Sequence, residues 1–134
     1  MRTFTHFLES SITMAIKRIL VVDDSPTERM AFQETLTGAG YEVLLATSGE
    51  EGVELAKSLR PDAIVMDVVM PGLNGFQATR ELSRHEATKS IPVIICTTKG
   101  QETDKIWGLR QGAVAYLVKP IDPKALLDEL KRLG

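Results

Sequence analysis

Arg18-Ile19-Leu20-Val21-Val22-Asp23-Asp24-Ser25-Pro26-Thr27-Glu28 changes character twice. An apolar run rich in β-formers ends in two carboxylates. A serine then stands at a helix N-cap, with proline in the first turn and glutamate three residues after the cap. A strand therefore runs through an acidic pair directly into a helix. That helix is expected to stop at Gly38-Ala39-Gly40, where glycine accepts the left-handed cap conformation. The same grammar recurs downstream. Ala63-Ile64-Val65-Met66 stops at Asp67, Val93-Ile94-Ile95-Cys96 at Thr97-Thr98, and Tyr116-Leu117-Val118 at Lys119-Pro120.

Between these runs lie helical segments. Residues 42–46 read as a second strand, and Ser48-Gly49-Glu50-Glu51 repeats the capping signature before Val53, Leu55, Ala56 and Leu59 carry a second helix to Arg60-Pro61. A loop of breakers, Val68 to Gly75, precedes a helix through Phe76, Ala78, Thr79 and Leu82. A further helix spans about 101–111, and Asp122-Pro123 caps a last one bearing Leu126, Leu127, Leu130 and Leu133. Strands and helices alternate, and the strands are nearly continuous in apolar residues. This predicts an α/β fold, a doubly wound five-stranded parallel sheet covered by helices on both faces. Ligands in such sheets bind beyond the carboxyl ends of the strands, where strand order reverses. In the order 2-1-3-4-5 that point lies between the first and third strands, which here end in Asp23-Asp24 and Asp67.

The 134 residues suit one domain, expected over 15–134, with residues 1–14 a loose extension. A formal net charge of −2 argues against nucleic-acid binding through bulk electrostatics. No apolar stretch is long enough to span a bilayer, and residues 1–13 lack a signal peptide's apolar centre. The single cysteine, Cys96, lies inside an apolar run and reads as a buried, inert thiol. A reducing, cytoplasmic setting fits.

If the apolar runs are parallel strands, Asp23, Asp24, Asp67, Thr97 and Lys119 share one edge. Two like charges about 4 Å apart cost on the order of 4 kcal/mol at an effective dielectric near 20, so three carboxylates call for a cation. Oxygen-only donors in a wet crevice suit Mg²⁺. His6 and His85 fall outside the cluster, which argues against zinc. With Mg²⁺ and Lys119 the charges balance, and an added phosphoryl group can be shared by metal, ammonium, the Thr97 hydroxyl and loop N–H groups. Asp67, alone at the centre and followed by a loop able to wrap a phosphate, is the candidate nucleophile.

Val21-Val22-Asp23-Asp24-Ser25, Met66-Asp67-Val68-Val69-Met70-Pro71-Gly72-Leu73-Asn74-Gly75, Cys96-Thr97-Thr98 and Lys119-Pro120 stand in the order found in receiver domains of bacterial two-component response regulators. The chain resembles that family from Lys17 to about Leu133. The stretches 24–28, 71–80 and 97–105 are more narrowly similar to the single-domain regulators of type IV pilus twitching motility. The resemblance implies a flavodoxin-like receiver fold in which Asp67 accepts phosphate from a sensor histidine kinase. It implies that Asp24, Asp67 and the Val69 carbonyl hold Mg²⁺ directly, with Asp23 acting through a water. Thr97 becomes the switch hydroxyl, Lys119 the counter-ion of the phosphate and Tyr116 the aromatic that moves inward. Lys119-Pro120 is expected to be cis. The output is a protein contact, with the pilus motor machinery the candidate target, or a phosphate sink. No membrane insertion and no enzymatic turnover beyond the chain's own phosphorylation and dephosphorylation are expected.

Plainer readings stand beside these. Asp24-Ser25-Pro26 alone is an ordinary helix cap, Thr97 alone a strand-end hydroxyl, Tyr116 a filler on the face of Val114 and Val118. Trp107, beside Ile106 on the fourth helix, reads first as a packing residue and second as a docking one. Other functions remain as alternatives: a receiver cut from a larger DNA-binding regulator, or a Mg²⁺-dependent phosphatase with an aspartyl nucleophile. The dehalogenase-type phosphatases place a second aspartate two residues after the nucleophile, where this chain has Val69. A flavin-mononucleotide binder of the same sheet order needs a phosphate-cradling first loop, which Asp23-Asp24 contradicts.

Overall fold

The computed structural model describes residues 15–134, so the expected extension over 1–14 lies outside the described residues. Strand and helix alternate as β1 (Arg18–Val22), α1 (Pro26–Gly38), β2 (Glu42–Ala46), α2 (Gly49–Leu59), β3 (Ala63–Met66), α3 (Gly75–Arg84), β4 (Val93–Thr97), α4 (Glu102–Arg110), β5 (Ala115–Val118) and α5 (Pro123–Leu133). The five strands form one parallel sheet in the order β2-β1-β3-β4-β5, as the sequence predicts.

Strand periodicity divides the core in two. Ile19, Val21, Val65, Ile94 and Cys96 face one side and pack with Phe32 and Leu36 of α1 and Leu126 and Leu130 of α5. Leu20, Val22, Ile64, Met66 and Ile95 face the other and meet Val53 and Ala56 of α2 and Ala78 and Leu82 of α3. Helix α4 is anchored differently, because among its residues only Gly108 is buried. Burial of Cys96 between β4 neighbours raises its thiol pKa and leaves it unreactive. No helix among the described residues is long and apolar enough to cross a membrane.

The caps follow the sequence signatures with two departures. Ser25 Oγ accepts from the Glu28 N–H at 3.3 Å, and Ser48 Oγ from the Glu51 N–H at 3.1 Å. Neither glutamate closes a box on its own cap. The Ser25 N–H is already donated to Asp23 Oδ1 at 3.0 Å, and Glu51 Oε1 accepts instead from the N–H and hydroxyl of Thr47. A full reciprocal box forms at α3, where Asn74 and Gln77 exchange two bonds of 2.9 Å.

Asn74-Gly75 also brings α3 hard against the strand end. A Cβ on Gly75 would stand 2.0 Å from the Asp67 carbonyl oxygen and 2.7 Å from the Val68 Cα, atoms of backbone that have no room to yield. Alanine normally favours a helix over glycine by about 1 kcal/mol, whereas overpacking costs about 1–3 kcal/mol. Gly75→Ala is therefore expected to lower the melting temperature by several degrees, measured by circular dichroism; an unchanged or raised midpoint would refute the close approach.

Candidate functional site

The hydrogen-bond ladder continues one step past the strand ends, and this assembles the crevice. The Asp67 N–H donates to the Val22 carbonyl at 2.9 Å, the Asp23 N–H to Ala46 at 3.1 Å and the Lys119 N–H to Thr97 at 2.8 Å. Asp23, Asp24 and Asp67 each offer an oxygen within 4.8 Å of the others. Asp23 and Asp67 are buried and Asp24 is exposed, so the cluster opens to solvent at Asp24. The sequence-expected set of three carboxylates thus comes together at the reversal of strand order.

Lys119 lies among them. Its Nζ is 2.7 Å from Asp23 Oδ2, 3.5 Å from Glu28 Oε1 and 3.7 Å from Asp67 Oδ2. Burial opposes its charge, but the hydrogen bond to Asp23 and the charges of Asp67, Asp23 and Glu28 outweigh it and hold the ammonium above the usual lysine range. The Lys119-Pro120 bond is cis, as expected.

Asp67 is under opposite pressures. Its Oδ1 accepts from the Val68 N–H at 2.8 Å. Burial, followed by the charge of Asp23, raises its pKa, while Lys119, the Thr97 hydroxyl and the Val68 N–H work to lower it; the net shift is upward. Burial and the Asp23 charge thus disfavour the ionised carboxylate by more than Lys119, Thr97 and Val68 favour it. A hard divalent cation would relieve this, and an all-oxygen donor set suits Mg²⁺.

Thr97 ends β4 fully buried, and its Oγ1 accepts from the Lys99 N–H at 3.4 Å. Tyr116 pairs with Ile95 across the sheet, so strand alternation puts Thr97 and Tyr116 on one face. The tyrosine hydroxyl donates to the Lys99 carbonyl at 2.7 Å, and its ring lies against Gly108 of α4. Burial and the charges of Asp104 and Asp67 push the phenol up to about 12, so it remains a donor at neutral pH. The packing reading of Trp107 is corrected: it is 48% exposed, beside exposed Ile106 and Leu109, because Gly108 rather than the tryptophan faces the sheet. Val69 is exposed on the loop after Asp67.

Two participants were not legible. Glu28 read as a cap residue yet reaches Lys119, and Arg29 Nη1 donates to the Asp23 carbonyl at 2.8 Å, bracing the acidic turn from α1. Both follow a capping motif closely, and their spacing carries no sign of the second role.

A parallel α/β sheet with an acidic cluster and a lysine at its switch point defines a phosphoacceptor signalling module. Residues 19–131 match the response regulator receiver domain family, and the chain belongs to it. It is 58% identical over 110 residues to the protein PilH of Pseudomonas aeruginosa, an alignment covering 82% of this chain and 91% of that one. The chemotaxis protein CheY4 of Vibrio cholerae superposes with a TM-score of 0.82 at 37% identity, covering 90% of this chain and all of that one. The receiver domain of a sensor histidine kinase of P. aeruginosa, solved with a magnesium ion coordinated in its active-site cleft, gives 0.81 at 34% identity over 89% of this chain and 98% of that one. The chain is accordingly a phosphorylation switch of a two-component system. Receiver domains take phosphate from histidine kinases and act on downstream targets.

The raised Asp67 pKa has a consequence without metal. Between its ordinary value of 3.8 and the raised one the folded protein binds more protons than the unfolded chain, so stability falls as pH rises through that window. In Mg²⁺-free buffer Asp67→Asn is expected to melt higher than wild type at pH 7, with the gain vanishing below the ordinary carboxylate range. Thermal melts at both pH values test this, and equal midpoints at pH 7 would contradict it.

Proposed function

We propose that Asp67 is the phosphoacceptor. The observation that carries this is its position: a buried carboxylate within 4.8 Å of the Asp23 and Asp24 oxygens, 3.7 Å from the Lys119 ammonium, and beside the Thr97 hydroxyl. A carboxylate oxygen of Asp67 attacks the phosphorus of a phosphohistidine on a sensor kinase. The P–N bond breaks as the P–O bond forms, and the leaving imidazole nitrogen keeps the electron pair and takes a proton from solvent. Asp24, Asp67 and the Val69 carbonyl would hold Mg²⁺ directly and Asp23 through a water. Bound there, the ion supplies positive charge against the phosphoryl oxygens. Lys119 exchanges part of its contact with Asp23 and Glu28 for the incoming phosphoryl group, and Thr97 donates its hydroxyl to a phosphoryl oxygen.

The same step accounts for signalling. Drawing the Thr97 hydroxyl toward the phosphoryl group releases the space beside Tyr116, whose ring lies against the only buried residue of α4 among those described. The exposed Ile106, Trp107, Leu109, Val114 and Val118 around it form the surface that changes. We read the chain as a switch rather than a turnover enzyme, working in the cytoplasm beside its kinase. The PilH likeness supports a target in type IV pilus motility, with the pilus motor machinery the candidate. A phosphate-sink role is the companion reading for a regulator of this kind.

Incubation with acetyl phosphate and Mg²⁺, followed by intact mass measurement, is expected to add one phosphoryl group to wild type. Asp67→Asn and Asp24→Ala should remain unmodified while keeping the native circular dichroism spectrum. Full uptake by Asp67→Asn would remove the acceptor assignment, and full uptake by Asp24→Ala the metal assignment.

Thr97→Ala is expected to take up phosphate nearly as wild type does but to lose the accompanying change in Trp107 fluorescence on addition of beryllofluoride, a phosphoryl mimic. Lys119→Ala should also lose the response, even at partial phosphorylation. Equal responses in wild type and Thr97→Ala would refute the switch role.

A further inference from the structure

The first turn of α2 carries two adjacent acids, Glu50 and Glu51, which do different things. Glu51 serves its own helix, its Oε1 accepting from the N–H and hydroxyl of Thr47. Glu50 reaches across to the loop after Asp67, where its Oε2 accepts from the Leu73 N–H at 3.0 Å. That loop contains Pro71-Gly72 with Gly72 at φ +74°, the residue pair and backbone sign of a type II turn. The Leu73 N–H that would close such a turn is given to Glu50 instead.

The surroundings are built around this contact. A Cβ on Gly72 would stand 2.8 Å from Glu50 Oε2, so both its positive φ and the carboxylate favour glycine. A Cβ on Gly49 would stand 2.4 Å from the Leu73 carbonyl oxygen, so α2 and the loop touch backbone to backbone. At its other end the loop is closed by the Gly75 N–H, which donates to the Val68 carbonyl at 3.0 Å. Residues 69–72 are therefore held between an internal closure at Val68 and Gly75 and an outside clamp at Leu73.

We infer that Glu50 is a positioning residue for the metal site: its carboxylate clamps the 68–74 loop and so pre-orders the backbone that offers the Val69 carbonyl. This rests on the reading of the crevice as a Mg²⁺ site. An ion bound by one or two carboxylates and a main-chain carbonyl gains from a carbonyl already in place, since a mobile loop must be ordered at each binding event. Glu50 touches neither ion nor phosphoryl group. It acts through the Leu73 N–H, its hydrogen-bond partner among the described residues, and Glu51, one residue away on the same helix turn, provides an internal control.

The test is isothermal titration of the full chain with MgCl₂, accompanied by amide hydrogen exchange over residues 68–74 and melting in Mg²⁺-free buffer. Glu50→Ala is expected to raise the Mg²⁺ Kd about tenfold, the lower end of what loss of an outer-shell partner does to a metal site, and to speed exchange at Leu73. Glu50→Gln, whose amide oxygen still accepts, should fall between. Glu51→Ala should lower the melting temperature and leave the Mg²⁺ Kd unchanged. Wild-type affinity in Glu50→Ala, or equal weakening by Glu51→Ala, would overturn the role of Glu50 while leaving the metal site standing. Absence of Mg²⁺ binding by wild type would overturn the metal assignment and this role together.

Discussion

Among the described residues, the ammonium of Lys119 is the cation paired directly with the buried carboxylates of the crevice, and it makes their burial tolerable. Two carboxylates removed from water side by side would repel and would each lose hydration. Lys119 reaches Asp23 at 2.7 Å and Asp67 at 3.7 Å, and its Nζ also stands 6.0 Å from the centroid of the Phe32 ring on α1. It arrives there because its own N–H extends the sheet ladder to Thr97. Even so, burial, followed by the charge of Asp23, keeps the Asp67 pKa above its ordinary value. An all-oxygen cluster of this kind suits a hard divalent cation.

The period of the strands separates charge handling from its consequences. Asp23, Asp67 and Lys119 each follow a strand residue of the α2/α3 face and so turn toward α1 and α5. Thr97 and Tyr116 belong to the opposite face, beneath α4. Helix α4 is joined to that face by little apolar burial. Its Ile106, Trp107 and Leu109 point outward, while Gly108 meets the sheet. Elements with few buried contacts open or shift at the lowest free-energy cost. The α2 and α3 side, by contrast, is fastened by glycine contacts at Gly49, Gly52 and Gly75 that leave no slack. That one face is thus closely fitted at α2 and α3 and loosely fitted at α4.

Much of this was written locally. The apolar runs, their abrupt ends in Asp23-Asp24, Asp67, Thr97 and Lys119, and the caps at Ser25, Ser48 and Asp122 each occupy a few consecutive residues. Periodicity and hydrogen-bond chemistry act over that range, so strand, helix and the edge carrying the acids could be read directly. The parallel sheet followed from the alternation of strands and helices, the crossover rule left few arrangements, and the particular order came with the family resemblance, which rested on motifs at those same strand ends.

What only the tertiary structure decided is where long side chains from separate crossovers meet. Glu28 has the spacing of a capping residue, yet the seating of α1 over β1 and β2 leaves it within reach of Lys119 from the segment after β5. Glu50 and Glu51 are identical in type and adjacent in sequence, but the angle of α2 against the loop sends one to Leu73 and the other to Thr47. Trp107 and Gly108 divide exposure and burial contrary to their hydrophobicity, because the Tyr116 ring already occupies the face of β5 where a large side chain would pack. These outcomes depend on how helices seat on a twisted sheet, a property of the whole packing that no short stretch of residues encodes.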